Sequence, residues 1–150
     1  MKLEEEIDVS IPFKDERDKA IVNLVHTYNV LLEATQSDLK DFNINDQHYN
    51  ILAILNVAHP QPVSIGQIKK RLLNKRGDLT RLLDKLDHLG WIVRKINPTN
   101  RRVMNVTLSG EGKQQLALID AKLSRHTSRR KNLSEEEASQ LNDLLDKLRG

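Results

Sequence analysis

The sequence predicts a mainly α fold carrying one small β-hairpin. Three observations predict it. Apolar residues recur at helical spacing over most of the 150 residues. One stretch, "WIVRKINPTNRRVMNVTL", instead contains two β-prone runs about a turn signal. Serine-led capping signals punctuate the segments between.

The first helix is expected from about Asp15 to Leu39, with Ile21, Leu24, Val25, Tyr28, Leu31, Leu32 and Thr35 at helical spacing. A second starts at Asn45, a good N-cap, with Ile44 and Tyr49 at the positions of a hydrophobic staple. Leu52, Ala53 and Leu55 or Asn56 continue its face. Pro60 and Pro62, which cannot donate to a helix, end it. A short third helix opens at Ser64, where Ser64 and Gln67 form a capping box stapled by Val63 and Ile68.

"LLNKRG" breaks that period before a new helix begins in "DLTRLLDKLDHLGW". Leu79, Leu82, Leu83, Leu86 and Leu89 share one of its faces, and Gly90 suits a C-terminal stop. The β-prone runs follow, joined through Asn97-Pro98-Thr99-Asn100. Ser109 can cap a helix from Gly110 to about Arg130 that carries Leu116, Ile119, Ala121 and Leu123. A last helix opens on the Ser134/Glu137 box and displays Leu141, Leu144, Leu145 and Leu148.

Composition narrows the function. The chain has no cysteine, which excludes disulfides, zinc-thiolate sites and thiol redox sensing. No apolar run approaches the roughly 20 residues of a membrane span. The acidic opening "MKLEEEIDVS" lacks the core of a secretory signal. A cytoplasmic protein of one domain, spanning 1–150, is expected.

The net charge of +3 conceals an asymmetry. Lys69 to Arg102 holds eleven Lys or Arg against three acids, Asp78, Asp84 and Asp87. The rest of the chain is net acidic. A contiguous basic segment is the footprint of phosphate binding, although a solvated charged face gives the same composition.

Two short helices about a tight turn, followed by a hairpin, describe a winged helix-turn-helix, here placed at 45–108. In that geometry the second helix of the pair lies in the major groove of DNA. Its leucine face turns inward and leaves Lys75, Arg76, Asp78, Thr80, Arg81, Asp84 and Lys85 outside, and Ser64 is a further DNA-binding candidate. The N-terminus of that helix is itself a phosphate site. The three acids oppose phosphate, unless they accept from cytosine or pair with Arg81, Lys85 or His88 along the helix. Arg101 and Arg102 stand at the hairpin tip with Asn100. Arginine suits a narrow minor groove, while a charged tip can also simply keep a strand edge soluble.

"SIGQIKKRLLNKRGDLTRLLDKLDHLGWIVRKINPTNRRVMNVTLSGEG" resembles the winged-helix core of the MarR family (multiple antibiotic resistance regulators). Leu79-Thr80-Arg81-Leu82-Leu83-Asp84-Lys85-Leu86 matches its V-T-R-L-V-D-R-L. Asn97 to Arg102 matches the D-P-x-D-R-R wing, and Leu108 to Gly112 its L-T-x-x-G. Both acids of the family wing are asparagine here, at Asn97 and Asn100. The family's acid-arginine pair corresponds to Asn100 and Arg102, so the charge that aims the guanidinium is lost.

The resemblance implies a sequence-specific transcriptional regulator, a repressor bound as a homodimer to a pseudo-palindromic operator. The helices at 15–39 and 110–149 would be its dimerisation helices, with Ile21, Leu24, Leu141, Leu144, Leu145 and Leu148 in the interface. It also implies release by a small aromatic ligand, for which His26, Tyr28, His48 and Tyr49, with Trp91, are the available aromatic residues. No cofactor, metal site or enzymatic motif is expected: the glycines sit at turns, and the five histidines are scattered. Two rival readings are a winged-helix module docking an acidic protein and a metal-responsive sensor.

Overall fold

The computed structural model describes residues 2–7, 13–75, 77–124 and 132–150. The chain forms two compact units, Met1–Asp46 and Gln47–Gly150, each described here by itself.

The first unit contains a short helix α1 (Leu3–Glu6) and the long helix α2 (Glu16–Lys40). The Asp15 carboxylate caps α2 by accepting from the Arg17 and Asp18 amides. Leu39 is the one buried residue of α2. Ile21, Leu24, Val25, Tyr28 and Leu31 are all exposed, so an apolar stripe runs uncovered along much of the helix. α1 was not predicted, being one turn long with three consecutive glutamates. It is tied to α2 by side chains: Glu4 pairs with Lys19, and Glu6 Oε2 lies 2.9 Å from His26 Nε2.

The second unit runs α3 (Asp46–Ala58), β1 (Val63–Ser64), α4 (Ile65–Arg71), α5 (Leu79–His88), β2 (Ile92–Ile96), β3 (Met104–Leu108), α6 (Gly110–Leu123) and α7 (Glu135–Arg149). The sheet is antiparallel and three-stranded in the order β1-β3-β2, where the sequence predicts only a hairpin. The additional strand has a simple origin. A helix N-cap has extended backbone, and Ser64 (φ −71°, ψ 154°) both caps α4 and pairs with Asn105. Two residues between prolines and a helix give no alternation for a sequence reading to find.

The core of this unit gathers the inner faces of α3, α4, α5 and α6 on the sheet. Ile51, Leu52, Ile68, Leu83, Val106 and Ile119 are fully buried within it. Trp91 is also buried, as core. Gly90 ends α5 at φ +73°, and its amide bonds Asp87 O while Trp91 N–H reaches Leu86 O. These two bonds are a Schellman stop, as expected of a glycine in that place. Gly112 is required for space: a β carbon there would overlap the Trp91 carbonyl. α6 is described as a helix to Leu123; its predicted extension toward Arg130 lies outside the described residues. Ala121, expected to be apolar content of that helix, is exposed. α7 buries none of its residues, and Leu141, Leu144 and Leu148 are exposed.

Candidate nucleic-acid interface

The basic segment folds onto α4, α5 and the β2–β3 hairpin of the second unit. α4 ends in Lys69, Lys70 and Arg71, all exposed. Lys75, in the turn before α5, and Thr80 and Arg81 of α5 are exposed, and Lys85 is half-buried. Arg76 lies outside the described residues. Among the described residues the ammonium and guanidinium groups of Lys69, Lys70, Arg71, Lys75, Arg81, Arg101 and Arg102 form no ion pair. The lobe therefore carries a set of cations that its own acids leave unneutralised.

The acids of this segment are accounted for differently from the sequence reading. Asp78 is the N-cap of α5, its Oδ1 accepting from the Thr80 and Arg81 amides at 3.1 and 3.3 Å. The helix N-terminus, expected to be open to phosphate, is thus filled by a carboxylate of the chain itself. Asp84 and Asp87, which the sequence allows either to accept from cytosine or to pair along the helix, hold Arg94 of β2, whose Nη2 donates to Asp84 Oδ1 at 2.6 Å and whose Nε lies 3.3 Å from Asp87 Oδ2. An i, i+10 bridge between helix and strand leaves no local spacing in the sequence to signal it.

Ser64 is occupied locally. Its Oγ accepts from the Gln67 amide at 3.2 Å while Gln67 Oε1 takes the Ser64 N–H at 2.9 Å, as the capping box predicts.

The wing tip is a network of side-chain to backbone bonds. Asn97 Oδ1 accepts from the Thr99 amide (2.9 Å), the Thr99 hydroxyl (2.7 Å) and the Asn100 amide (3.1 Å). Asn100 Oδ1 accepts from the backbone N–H of Arg102 at 3.1 Å. Asn100 therefore orders the turn, not the guanidinium, and both arginine side chains stand exposed beyond it. The two asparagines keep the acceptor role that an aspartate would have and dispense with its charge.

The turn between α4 and α5 is fastened from α3 by contacts that no local motif signals. Asn50 Oδ1 accepts from the Leu73 N–H at 3.1 Å, and the Gln47 amide packs 2.6 Å from where a β carbon of Gly77 would stand. Gln47 and Asn50 are one helical turn apart on α3, which is the only sequence signal they offer.

The predicted ligand residues divide between the units. His26 (on Glu6) and exposed Tyr28 belong to the first. Buried His48, and Tyr49, whose hydroxyl donates to Asp120 Oδ1 of α6 at 2.8 Å, belong to the second. An open depression on the outer sheet face involves none of them; Pro62, Val93, Lys95 and Ile96 are among its walls. Among the described residues no three His, Asp or Glu side chains converge as for a metal, and no helix is long and apolar enough to cross a membrane.

A helix-turn-helix that displays Lys69, Lys70, Arg71, Lys75 and Arg81 without ion pairs among the described residues, followed by a hairpin with Arg101 and Arg102 exposed at its tip, defines a winged-helix protein of the DNA-binding class. The model of the MarR family matches residues 44–104, from the end of the first unit to the start of β3. The chain is 30% identical over 116 residues to the uncharacterised HTH-type transcriptional regulator YkoM of Bacillus subtilis (strain 168), covering 73% of this chain and 72% of that one. A MarR transcription factor from Planctomyces limnophilus superposes with a TM-score of 0.70 at 29% identity, over 90% of this chain and 98% of the other. A mutant MarR from E. coli, solved in complex with operator DNA, superposes with a TM-score of 0.67 at 27% identity, over 86% and 93%. The chain belongs to the MarR family and is a DNA-binding transcriptional regulator.

Proposed function

We propose that this regulator is a cytoplasmic repressor that binds a pseudo-palindromic operator as a homodimer. The observation that carries the reading is the unneutralised set of cations along α4, α5 and the wing. Lys75, Arg76, Thr80, Arg81 and Lys85 serve the major groove, and Arg101 and Arg102 the adjacent minor groove. Ser64 and Asp78 act through the helix ends they cap, and Asn100 through the turn it orders.

Dimerisation rests on the exposed stripes of α2 (Ile21, Leu24) and α7 (Leu141, Leu144, Leu148, with half-buried Leu145). Apolar faces of this length are ordinarily covered in a soluble protein, and a two-fold dimer also supplies the two half-sites that one module lacks. Release from DNA by a small aromatic ligand completes the proposal.

The test is selection of random duplexes by the purified protein at near-physiological salt, with its mass in solution measured in parallel. A dimer that enriches a pseudo-palindrome with half-sites about one helical turn apart supports the reading. Retention of DNA without enrichment reduces the basic face to an electrostatic surface. A dimer that retains no DNA overturns the reading, and a monomer that enriches a single half-site overturns the homodimer.

A further inference from the structure

Leu73 is 90% exposed, the most exposed of the large apolar residues described. It opens the turn that leads from α4 to the Asp78 cap of α5. Its neighbour Leu72 is buried, so the pair is split, with one leucine in the core and the next in solvent. The backbone there is fixed: the Leu73 N–H is held by Asn50 Oδ1, and the turn is seated again where Gly77 meets Gln47. An apolar side chain is thus displayed from an anchored position.

The surroundings restrict what can cover it. Lys69, Lys70, Arg71 and Lys75 flank it in sequence, all exposed and without ion pairs among the described residues. A second copy of the same surface would bring like charges together. A polyanion suits the cations, and the apolar group that a DNA duplex presents in its major groove is the 5-methyl of thymine.

We propose that Leu73 is a specificity-determining residue that reads a thymine methyl at the edge of the half-site. The inference rests on the DNA-binding reading above and adds to it an apolar contact among charged ones. The cations fix the chain on phosphate without regard to sequence. Leu73 discriminates between thymine and a base without that methyl.

The experiment uses the full chain and the operator recovered by selection. Each thymine of one half-site is replaced in turn by uracil, which removes the methyl and keeps the pairing edge. Wild type should lose about fourfold in affinity at one position, the worth of one buried methyl group. Leu73→Ala should bind the parent operator more weakly, with uracil at that position making no further difference. Leu73→Met, which keeps an apolar reach, should restore the discrimination. Thermal melting of the variants should match wild type, since the side chain buries nothing.

Wild type and Leu73→Ala responding alike to every uracil overturns the proposal while leaving the DNA reading intact. So does an affinity loss in Leu73→Ala that is equal on thymine and uracil duplexes, which would place the side chain against sugar. Failure of wild type to select any duplex overturns the DNA reading, and this inference with it.

Discussion

Arg94 of β2 reaches to α5 and donates to Asp84 Oδ1 at 2.6 Å, with Asp87 Oδ2 3.3 Å from its Nε. Its side chain is 20% exposed, whereas the two carboxylates remain about half exposed. One cation thus neutralises two acids on the helix that is to approach phosphate, and it joins that helix to the wing. The bridge also explains why three aspartates are tolerated in the basic segment: one caps and two clamp.

Arg94→Met should leave Asp84 and Asp87 as uncompensated charges beside a strand. Because both carboxylates keep water, the stability loss should be about 1–2 kcal/mol, below that of a fully buried pair. Duplex affinity should fall by more than this loss explains at low salt, and the excess should shrink as salt is added. Denaturant unfolding and binding isotherms across a salt series check both. Unchanged affinity at low salt would mean the two acids do not face the DNA.

Asp78→Ser separates the capping role of Asp78 from its charge. Serine caps as well as aspartate, so stability should stay within about 0.5 kcal/mol of wild type. Removing a carboxylate from the start of α5 should raise duplex affinity, most at low salt. Lower affinity, confined to one base position of the operator, would show instead that Asp78 reads a base.

Gly112 is the glycine of the L-T-x-x-G resemblance, and its reason is steric. With no room for a β carbon against the Trp91 carbonyl, Gly112→Ala must separate α6 from the end of α5. A loss of about 1–3 kcal/mol is expected on thermal or denaturant unfolding. Gly110, which has open space beside it, should accept alanine with little change and is the matched control.

Much of this was legible because the signals are local. The caps at Ser64, Ser109 and Ser134, the glycine stop at Gly90 and the leucine face of α5 each need only a few neighbouring residues, and each forms where expected. What escaped is long-range or very short. The Asp84–Arg94 bridge joins a helix to a strand, the Asn50–Leu73 bond spans 23 residues, and β1 is a pair of residues. The particular bond that Asn100 makes was hidden for a related reason. Its spacing to Arg102 is right for either the guanidinium or the backbone N–H, and only the turn geometry decides between them.

The attachment of α1 to α2 should depend on pH. The Lys19 ammonium bonded to Glu4 holds that carboxyl below the usual glutamate range, and Glu4 in turn raises Lys19 above the usual lysine range. A depressed carboxyl contributes stability above its unfolded value and loses it as pH falls through the folded one. A raised lysine contributes below its unfolded value and loses it as pH rises through the folded one. The attachment should therefore hold through neutrality and weaken at both extremes. Carboxyl NMR should show Glu4 titrating low in wild type and returning toward the ordinary value in Lys19→Gln; equal titration curves would dismiss the pair.

Asn97 is the centre of the wing tip, with three donors on one amide oxygen and its own N–H on Val103 O at 2.9 Å. Asn97→Ala removes the acceptor and leaves the Thr99 and Asn100 amides to water, at a cost of about 1 kcal/mol confined to an exposed turn. Global stability should barely change, since the tip is not core. Amide exchange at Thr99 and Asn100 should accelerate, and Arg101 and Arg102 should lose the fixed platform from which they reach DNA. Duplex affinity should then fall severalfold, because ordering the loosened tip on binding is unfavourable. Asn97→Asp, which retains the acceptor, should restore slow exchange. If exchange accelerates in Asn97→Ala and affinity does not move, the wing arginines contribute charge alone and their placement is immaterial.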